Sequence, residues 1–195
     1  MKLSLPKKHA EYKLIKACVK GNRLAQKQLY DRFAPKMFSV CLRYAGDYQQ
    51  AEDLLQEGFI KVFGNLSKYR GDGSFEGWVR RIFVNTAIEQ YRKSTHMVPV
   101  TELTSVRSLH VNNIALTHLA VEDLLKNIRA LSPGYRTVFN LYAIEGYSHR
   151  EIAEKLGISE GTSKSQLARA RYILQKMVLK QQETAYEPIL QSNEL

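Results

Sequence analysis

The run at residues 148–177, SHREIAEKLGISEGTSKSQLARARYILQKM, constrains this chain most, because it admits two helices joined by a turn and little else. Ser148 followed three residues later by Glu151 forms a capping box, in which each residue satisfies a backbone donor left orphaned at a helix start. Ile152, Ala153 and Leu156 give the short first helix one apolar face. Gly157 stands where it must stop, since a residue without Cβ adopts the left-handed backbone of a helix terminus at little cost. Ile158 then plugs the turn and Ser159 caps a second helix. Along that helix Ser163, Leu167, Ala170, Leu174 and Met177 recur at spacings of four, three, four and three, the stripe expected to face the first helix. The opposite face carries Lys164, Ser165, Ala168, Arg169 and Tyr172, with Arg171 and Lys176 beside it. Short side chains let a helix approach the floor of the major groove, and Arg or Lys reach phosphates and guanine edges. On the helix alone, a basic amphipathic segment packed on one side and solvated on the other is an equal reading. The capping box, the Gly-Ile turn and the short first helix favour a helix-turn-helix that meets DNA.

A chain of 195 residues can form one domain or two small ones. Its 29 Lys and Arg against 19 Asp and Glu give a net charge of +10, which suits a polyanion, either nucleic acid or an acidic membrane surface. No apolar run approaches a membrane span, so no membrane insertion is expected, and the start MKLSLPKKHAEY lacks the apolar core of a signal peptide. A cytoplasmic protein is the default. Cys18 and Cys41 are too few for a zinc site or a disulfide framework and read as small apolar packing residues. His9, His96, His110, His118 and His149 lack the spacing that places two ligands on one helical face, so no metal and no cofactor is expected.

Every other periodic segment is helical. Residues 11–20 carry Leu14, Ile15, Cys18 and Val19, and Gly21 with Asn22 ends the run. From 23 to 44 the apolar positions Leu24, Leu29, Phe33, Met37, Val40, Cys41 and Tyr44 keep a helical period, with Pro35 expected to kink or break it. Residues 50–66 form a seam of Ala51, Leu55, Phe59, Val62 and Leu66, widened by Leu54 and Phe63. Near the start of that helix Glu52, Asp53, Gln56 and Glu57 make an acidic, amide-rich side, which compensation of the helix dipole explains on the residues alone. A loop at 67–74, SKYRGDGS, has two glycines that prevent a regular helix, and its GDG is too little for a nucleotide-binding fingerprint. Residues 75–93 resume helix with Trp78, Ile82, Thr86 or Ala87, and Tyr91 on a broad face, while Arg80, Arg81, Asn85, Arg92 and Lys93 supply donors. Such a loop followed by aromatics and arginines also fits the handling of unstacked bases. A weakly patterned linker follows, then helices at 118–130 and from Pro133 to a stop at Gly146. Beyond Lys180 the pattern fades into a tail. No strand shows convincing alternation, so the expected fold is all-α.

Three segments then say more than periodicity does. AEDLLQEGFIKVF at 51–63, YRGDGSFEGWVRRIFVNTA at 69–87 and LSPGYRTVFNLYAIEGYSHREIAEKLGISEGTSKSQLARAR at 131–171 resemble the second and fourth regions of bacterial RNA polymerase sigma factors of the extracytoplasmic-function type. The resemblance covers the chain from about residue 11 to 178. It implies two helical domains, 1–95 (region 2) and 118–180 (region 4), joined by a flexible linker at 96–117 and followed by a tail at 181–195.

The same resemblance implies a division of labour. Asp53, Gln56 and Glu57 become candidates for docking on a coiled coil in the largest subunit of core RNA polymerase, in place of dipole compensation. The loop Lys68, Tyr69, Arg70, Gly71, Asp72, Gly73 and Ser74 is similar to the one that captures a flipped base of the minus 10 element. Arg80, Arg81 and Asn85 match positions near the melted strand, and Trp78 matches an aromatic that either packs or supports that edge. Glu160, Gly161, Thr162, Lys164, Ser165, Ala168, Arg169 and Arg171 are the candidates for the minus 35 element. Two departures stand out: Ser163 occupies a place usually held by a branched apolar residue, which predicts a looser seam, and Phe83 replaces a smaller residue. The short stretch ahead of the first helix leaves no room for the autoinhibitory region of larger sigma factors, so control is expected from a partner, an anti-sigma factor, that masks both domains. The function implied is transcription initiation, with core polymerase and promoter DNA as partners. A helix-turn-helix regulator that is not a sigma subunit is the alternative, but its usual receiver domain of alternating strands is missing from the first 95 residues. No phosphate-binding loop, metal cluster or nucleophile-and-base pair suggests an enzyme.

Overall fold

A computed structural model describes the backbone of residues 5–97 and 121–191, with side chains from 10 to 94 and from 122 to 181. Among the described residues every regular element is helical. The contacts divide the chain into two compact units, Met1–Glu89 and Gln90–Leu195.

The first unit is built from α1 (Leu5–Val19), α2 (Arg23–Tyr44), α3 (Tyr48–Asn65) and most of α4 (Phe75–Met97). Gly21, at φ +79°, turns the chain out of α1, and the Asn22 side chain accepts from Ala25 N at 3.0 Å to start α2. Pro35 does not break α2. It sits exposed on the solvent side while Phe33, Met37, Val40 and Cys41 hold both halves of the helix in the core. Asp47 caps α3, accepting from Gln50 N at 2.7 Å. That start lies two residues before the sequence-based one.

Leu29, Phe33 and Met37 of α2 meet Ala51, Leu54, Phe59 and Val62 of α3 and Phe75, Val79, Phe83 and Val84 of α4 in the core. Burying each large side chain stabilises by roughly 1.5–3 kcal/mol. Leu24 is not part of this core. It is 80% exposed, and Leu55 and Phe63 are only half-buried. On α4 the packed face runs through Val79, Phe83, Thr86 and Ala87, whereas Trp78, Ile82 and Tyr91, the face expected from the sequence, are half-buried flank residues. Phe83 finds its room over Gly58 of α3, where a Cβ would stand 2.2 Å from its ring. Its ring meets Phe59 edge-on at 5.3 Å. The larger residue is matched by the absence of a side chain opposite it. Cys18 and Cys41 are buried free thiols, and desolvation pushes Cys41 up to about 12, which keeps it unreactive.

The second unit holds α5 (Val121–Ala130), α6 (Pro133–Phe139), α7 (His149–Leu156) and α8 (Glu160–Gln191). Ile128, Leu131, Ala170 and Leu174 form its centre, with Leu124, Tyr135, Phe139 and Ile173 against them. Pro133 opens α6 as expected, but Ser132 caps it by position only, without a side-chain bond. The end of α5 is closed by a residue the sequence did not single out: buried Arg136 donates through Nη1 to the carbonyls of Arg129 (2.8 Å) and Leu131 (3.2 Å). After α6 the chain widens into one π turn, Asn140–Ile144, and Gly146 at φ +78° ends it. The tail expected beyond Lys180 is instead helical, since α8 continues through Gln191. Gln181 on that extension exchanges hydrogen bonds with buried Asn127 of α5. The expected linker and the start of the helix expected from 118 lie outside the described residues, apart from residues 96 and 97, which extend α4.

Candidate nucleic-acid interface

In the first unit a 3-10 turn, Leu66–Lys68, leads into the loop. Gly71 (φ +83°) and Gly73 (φ +91°) take backbone shapes that side chains rarely allow. The two ends of the loop are pinned. Tyr69 is half-buried, donates its hydroxyl to Gly73 O at 3.0 Å, and sets its ring against Phe75 (5.0 Å) and Trp78 (5.5 Å). Phe75 and Trp78 stack at 5.6 Å. At the other end Ser74 Oγ accepts from Gly77 N at 3.1 Å. Arg70, Gly71, Asp72, Gly73 and Ser74 are therefore an exposed tip on an aromatic base, and Tyr69 belongs to the base.

Below the loop lies a hollow of about 270 Å³ lined by Lys61, Asn65, Lys68, Trp78, Ile82, Asn85, Thr86 and Glu89. Three sequence candidates, Lys68, Trp78 and Asn85, meet here. The lining combines the indole and Ile82 with the Asn65 and Asn85 amides, the Thr86 hydroxyl, the Lys61 and Lys68 ammonium groups and the Glu89 carboxylate, a mixture that suits a flat heteroaromatic ring with polar edges. Arg81, one turn before Asn85, is exposed beside it, while Arg80 is half-buried and outside the lining, so the two arginines are not a matched pair. Lys61 was not foreseen. It bridges Glu57 of α3 (2.9 Å) and Glu89 of α4 (2.7 Å), and these two carboxylates hold its ammonium charged against the pull of burial.

That bridge separates the candidate docking residues. Glu57 is half-buried and paired with Lys61, while Asp53 and Gln56 are exposed, Asp53 accepting weakly from Gln49 Nε2 at 3.5 Å. Ile60, 72% exposed, continues the stripe of Asp53 and Gln56 at spacings of three and four. Its signal in the sequence was an apolar residue lying off the seam. Because α3 begins at Tyr48, none of these carboxylates is in the first turn, where the dipole acts most strongly. Dipole compensation loses its footing.

In the second unit the helix-turn-helix is built as its residues dictate. Ser148 Oγ accepts from Glu151 N (3.3 Å), and Glu151 Oε2 accepts from Ser148 N (2.8 Å), which holds the Glu151 carboxyl below its usual range. Gly157 is left-handed at φ +70°, and Gly157 N and Ile158 N both donate to Ala153 O. Ser159 Oγ accepts from Thr162 N and also meets Thr162 Oγ1, both at 2.9 Å. Leu167, Ala170 and Leu174 are buried as expected, with Val178 rather than Met177 closing the stripe.

On the outer face of α8, Glu160, Gly161, Lys164, Ser165, Ala168 and Arg171 are exposed, while Thr162 and Arg169 are half-buried at its edges. Lys164 and Glu160 pair loosely at 3.8 Å, and Ser165 Oγ donates back to Thr162 O at 3.0 Å. Lys164 and Arg171 thus carry the reach, and Ala168 leaves space between them.

The looser seam expected at Ser163 is not found. Ser163 is fully buried, and its hydroxyl meets His149 Nδ1 at 2.9 Å. His149, which as a sequence had no role, stacks on Tyr142 at 4.5 Å and 24°. Burial, then Lys164 and Arg171, lower its pKa, with Glu160 opposing.

Two family models match the chain: Sigma-70 region 2 over residues 29–96 and Sigma-70 region 4 over residues 122–174. The ECF RNA polymerase sigma factor SigW of Bacillus subtilis is 33% identical over 178 residues, covering 85% of this chain and 95% of that protein. The corresponding SigE of Mycolicibacterium smegmatis is 30% identical over 164 residues, 78% of this chain and 61% of that one. A solved structure of the sigma factor RpoE with the anti-sigma factor NepR, from Bartonella quintana, matches with a TM-score of 0.47 at 24% identity, over 78% of this chain and 95% of that one. With a loop-and-hollow unit matching region 2, a helix-turn-helix matching region 4, and a relative matched over nearly its whole length, the chain belongs to the ECF family of RNA polymerase sigma factors.

Proposed function

We propose that the transcription-initiation role of this chain is divided between its two units, the first docking on core polymerase and holding an unstacked promoter base, the second choosing the site. The exposed stripe of Asp53, Gln56 and Ile60 takes the core enzyme, with acidic and amide groups for orientation and an apolar side chain to bury. The loop tip and the hollow at Lys68, Trp78 and Asn85 take a base of the minus 10 element from the melted strand. The outer face of α8 reads the minus 35 element, with Lys164 and Arg171 on phosphates or guanine edges.

The hollow carries this reading. A regulator that binds only duplex DNA through a helix-turn-helix has no use for an indole-walled recess beside a glycine-hinged loop, whereas strand opening needs somewhere for the lost stacking to be replaced. The chain makes and breaks no bond itself. It works in the cytoplasm, where core polymerase is, and a partner of the anti-sigma kind controls it by covering the stripe that core polymerase needs.

Transcription in vitro with purified core enzyme tests the proposal. Promoter fragments of the source genome should give transcripts that depend on this protein. Asp53→Ala with Gln56→Ala should weaken core binding and leave the second unit folded, and Lys164→Ala should weaken promoter selection while sparing core affinity. No protein-dependent transcript from any fragment, or equal effects of both changes on core affinity, would refute it.

A further inference from the structure

His149 and Ser163 come from the two helices of the helix-turn-helix and meet at 2.9 Å. The eight residues of α7 bury only Ile152 and Leu156. The stripe position that the first turn of α8 offers at the His149 end is the fully buried hydroxyl of Ser163. Buried and unpartnered, that hydroxyl would loosen the contact. The imidazole satisfies it.

The ring is itself held. It lies on Tyr142 at 4.5 Å, and the same Tyr142 ring carries the Arg171 guanidinium at 5.6 Å. Ser163 and Arg171 are eight residues apart on α8, about 12 Å along its axis. One stacked imidazole–phenol pair thus grips α8 at two points, on either side of Lys164, Ser165 and Ala168.

We propose that His149 is a positioning residue for promoter recognition: through Ser163 and Tyr142 it fixes the rotation and height of α8, and with them the approach of Lys164 and Arg171 to DNA. This rests on α8 being the helix that reads the upstream promoter element.

The test uses the full chain bound to core polymerase, and a duplex that the wild-type complex enriches from a library randomised in the upstream element. His149→Phe keeps a ring to lie on Tyr142 but leaves the Ser163 hydroxyl buried without a partner. It should lower affinity for the enriched duplex about tenfold, the loss expected if the DNA-competent orientation of α8 falls to about a tenth of the free population. Core affinity should stay within about twofold, inside the spread ordinary for changes away from a contact. His149→Phe with Ser163→Val, which makes both partners apolar, should recover most of the loss, and Ser163→Ala gives a milder check if His149→Phe reduces folding of the second unit. The role of His149 is overturned if the enriched duplex binds His149→Phe and Ser163→Ala as it binds wild type, or if the double variant binds no better than His149→Phe. Failure of the wild-type complex to enrich any sequence would instead overturn the reading of α8 and this role together.

Discussion

Gly58→Ala should destabilise the first unit although it replaces the poorer helix former with the best one. In an open helix the change would stabilise by about 0.8–1 kcal/mol. Here the new Cβ would stand 2.2 Å from Phe83 Cε1 and 2.6 Å from Cδ1 and Cζ. Carbon atoms in contact prefer about 3.5–4.0 Å, so the ring or the helices must move by more than 1 Å. The ring cannot swing into solvent, because Phe83 is fully buried and held edge-on by Phe59. Overpacking of this kind costs about 1–3 kcal/mol; at about 2 kcal/mol, the middle of that range, it outweighs the propensity gain and leaves a net loss of about 1 kcal/mol. Trp78 is the only tryptophan in the chain and lies in the same unit, so its fluorescence in a urea titration reports this unit without the other. Phe83→Leu alone should also destabilise, through lost burial and a residual void. Gly58→Ala with Phe83→Leu should lose less than the sum of the two, by about 0.5–3 kcal/mol, as for residues in direct contact. A Gly58→Ala protein as stable as wild type or more so, or strict additivity of the pair, would refute the close approach of α3 and α4 at this point.

Two further outcomes follow from charge. His149 has a folded-state pKa below the ordinary imidazole value of about 6.5 because of burial, Lys164 and Arg171, against Glu160. The unfolded chain therefore binds the extra proton first, so stability of the second unit should fall as pH drops below about 6.5 and level off above it; thermal unfolding from pH 5 to 8, within the range where histidine titrates, checks this, and a slope unchanged in His149→Asn would contradict it. Lys61→Met should leave Glu57 and Glu89 without their shared cation at the edge of the hollow, weakening binding of a single-stranded minus 10 oligonucleotide to the polymerase complex while duplex binding by the second unit is unchanged. Adding Glu89→Gln should restore part of the loss, and no effect of Lys61→Met on the oligonucleotide would place the strand elsewhere.

The elements legible in the sequence were those whose signals are local. The capping box at Ser148, the left-handed stop at Gly157 and the Ser159 cap each act within four residues, and each is present as read. Where the reading failed, the deciding contact came from another element. Pro35 left α2 intact because core contacts on both sides hold it together, and Trp78 moved off the packed face because Val79 and Phe83 of the same helix face α3. Leu24 kept the period of its helix yet stayed in solvent, since periodicity says which residues share a face and not how far that face extends.

The candidate site divides in the same way. Lys68, Trp78 and Asn85 were each visible from residue type, but their convergence on one hollow, and the place of Lys61 and Glu89 in it, needed α3 and α4 side by side. Ser163 shows the limit most sharply. Taken alone, a hydroxyl on an apolar stripe is a defect, and a histidine fourteen residues earlier is unremarkable. Joined at 2.9 Å they exchange a non-specific apolar contact for a directional one. Either residue alone would leave a buried polar group unsatisfied, so the two act as a matched pair. The departure that made the recognition helix look weakly held is then the feature that sets its orientation.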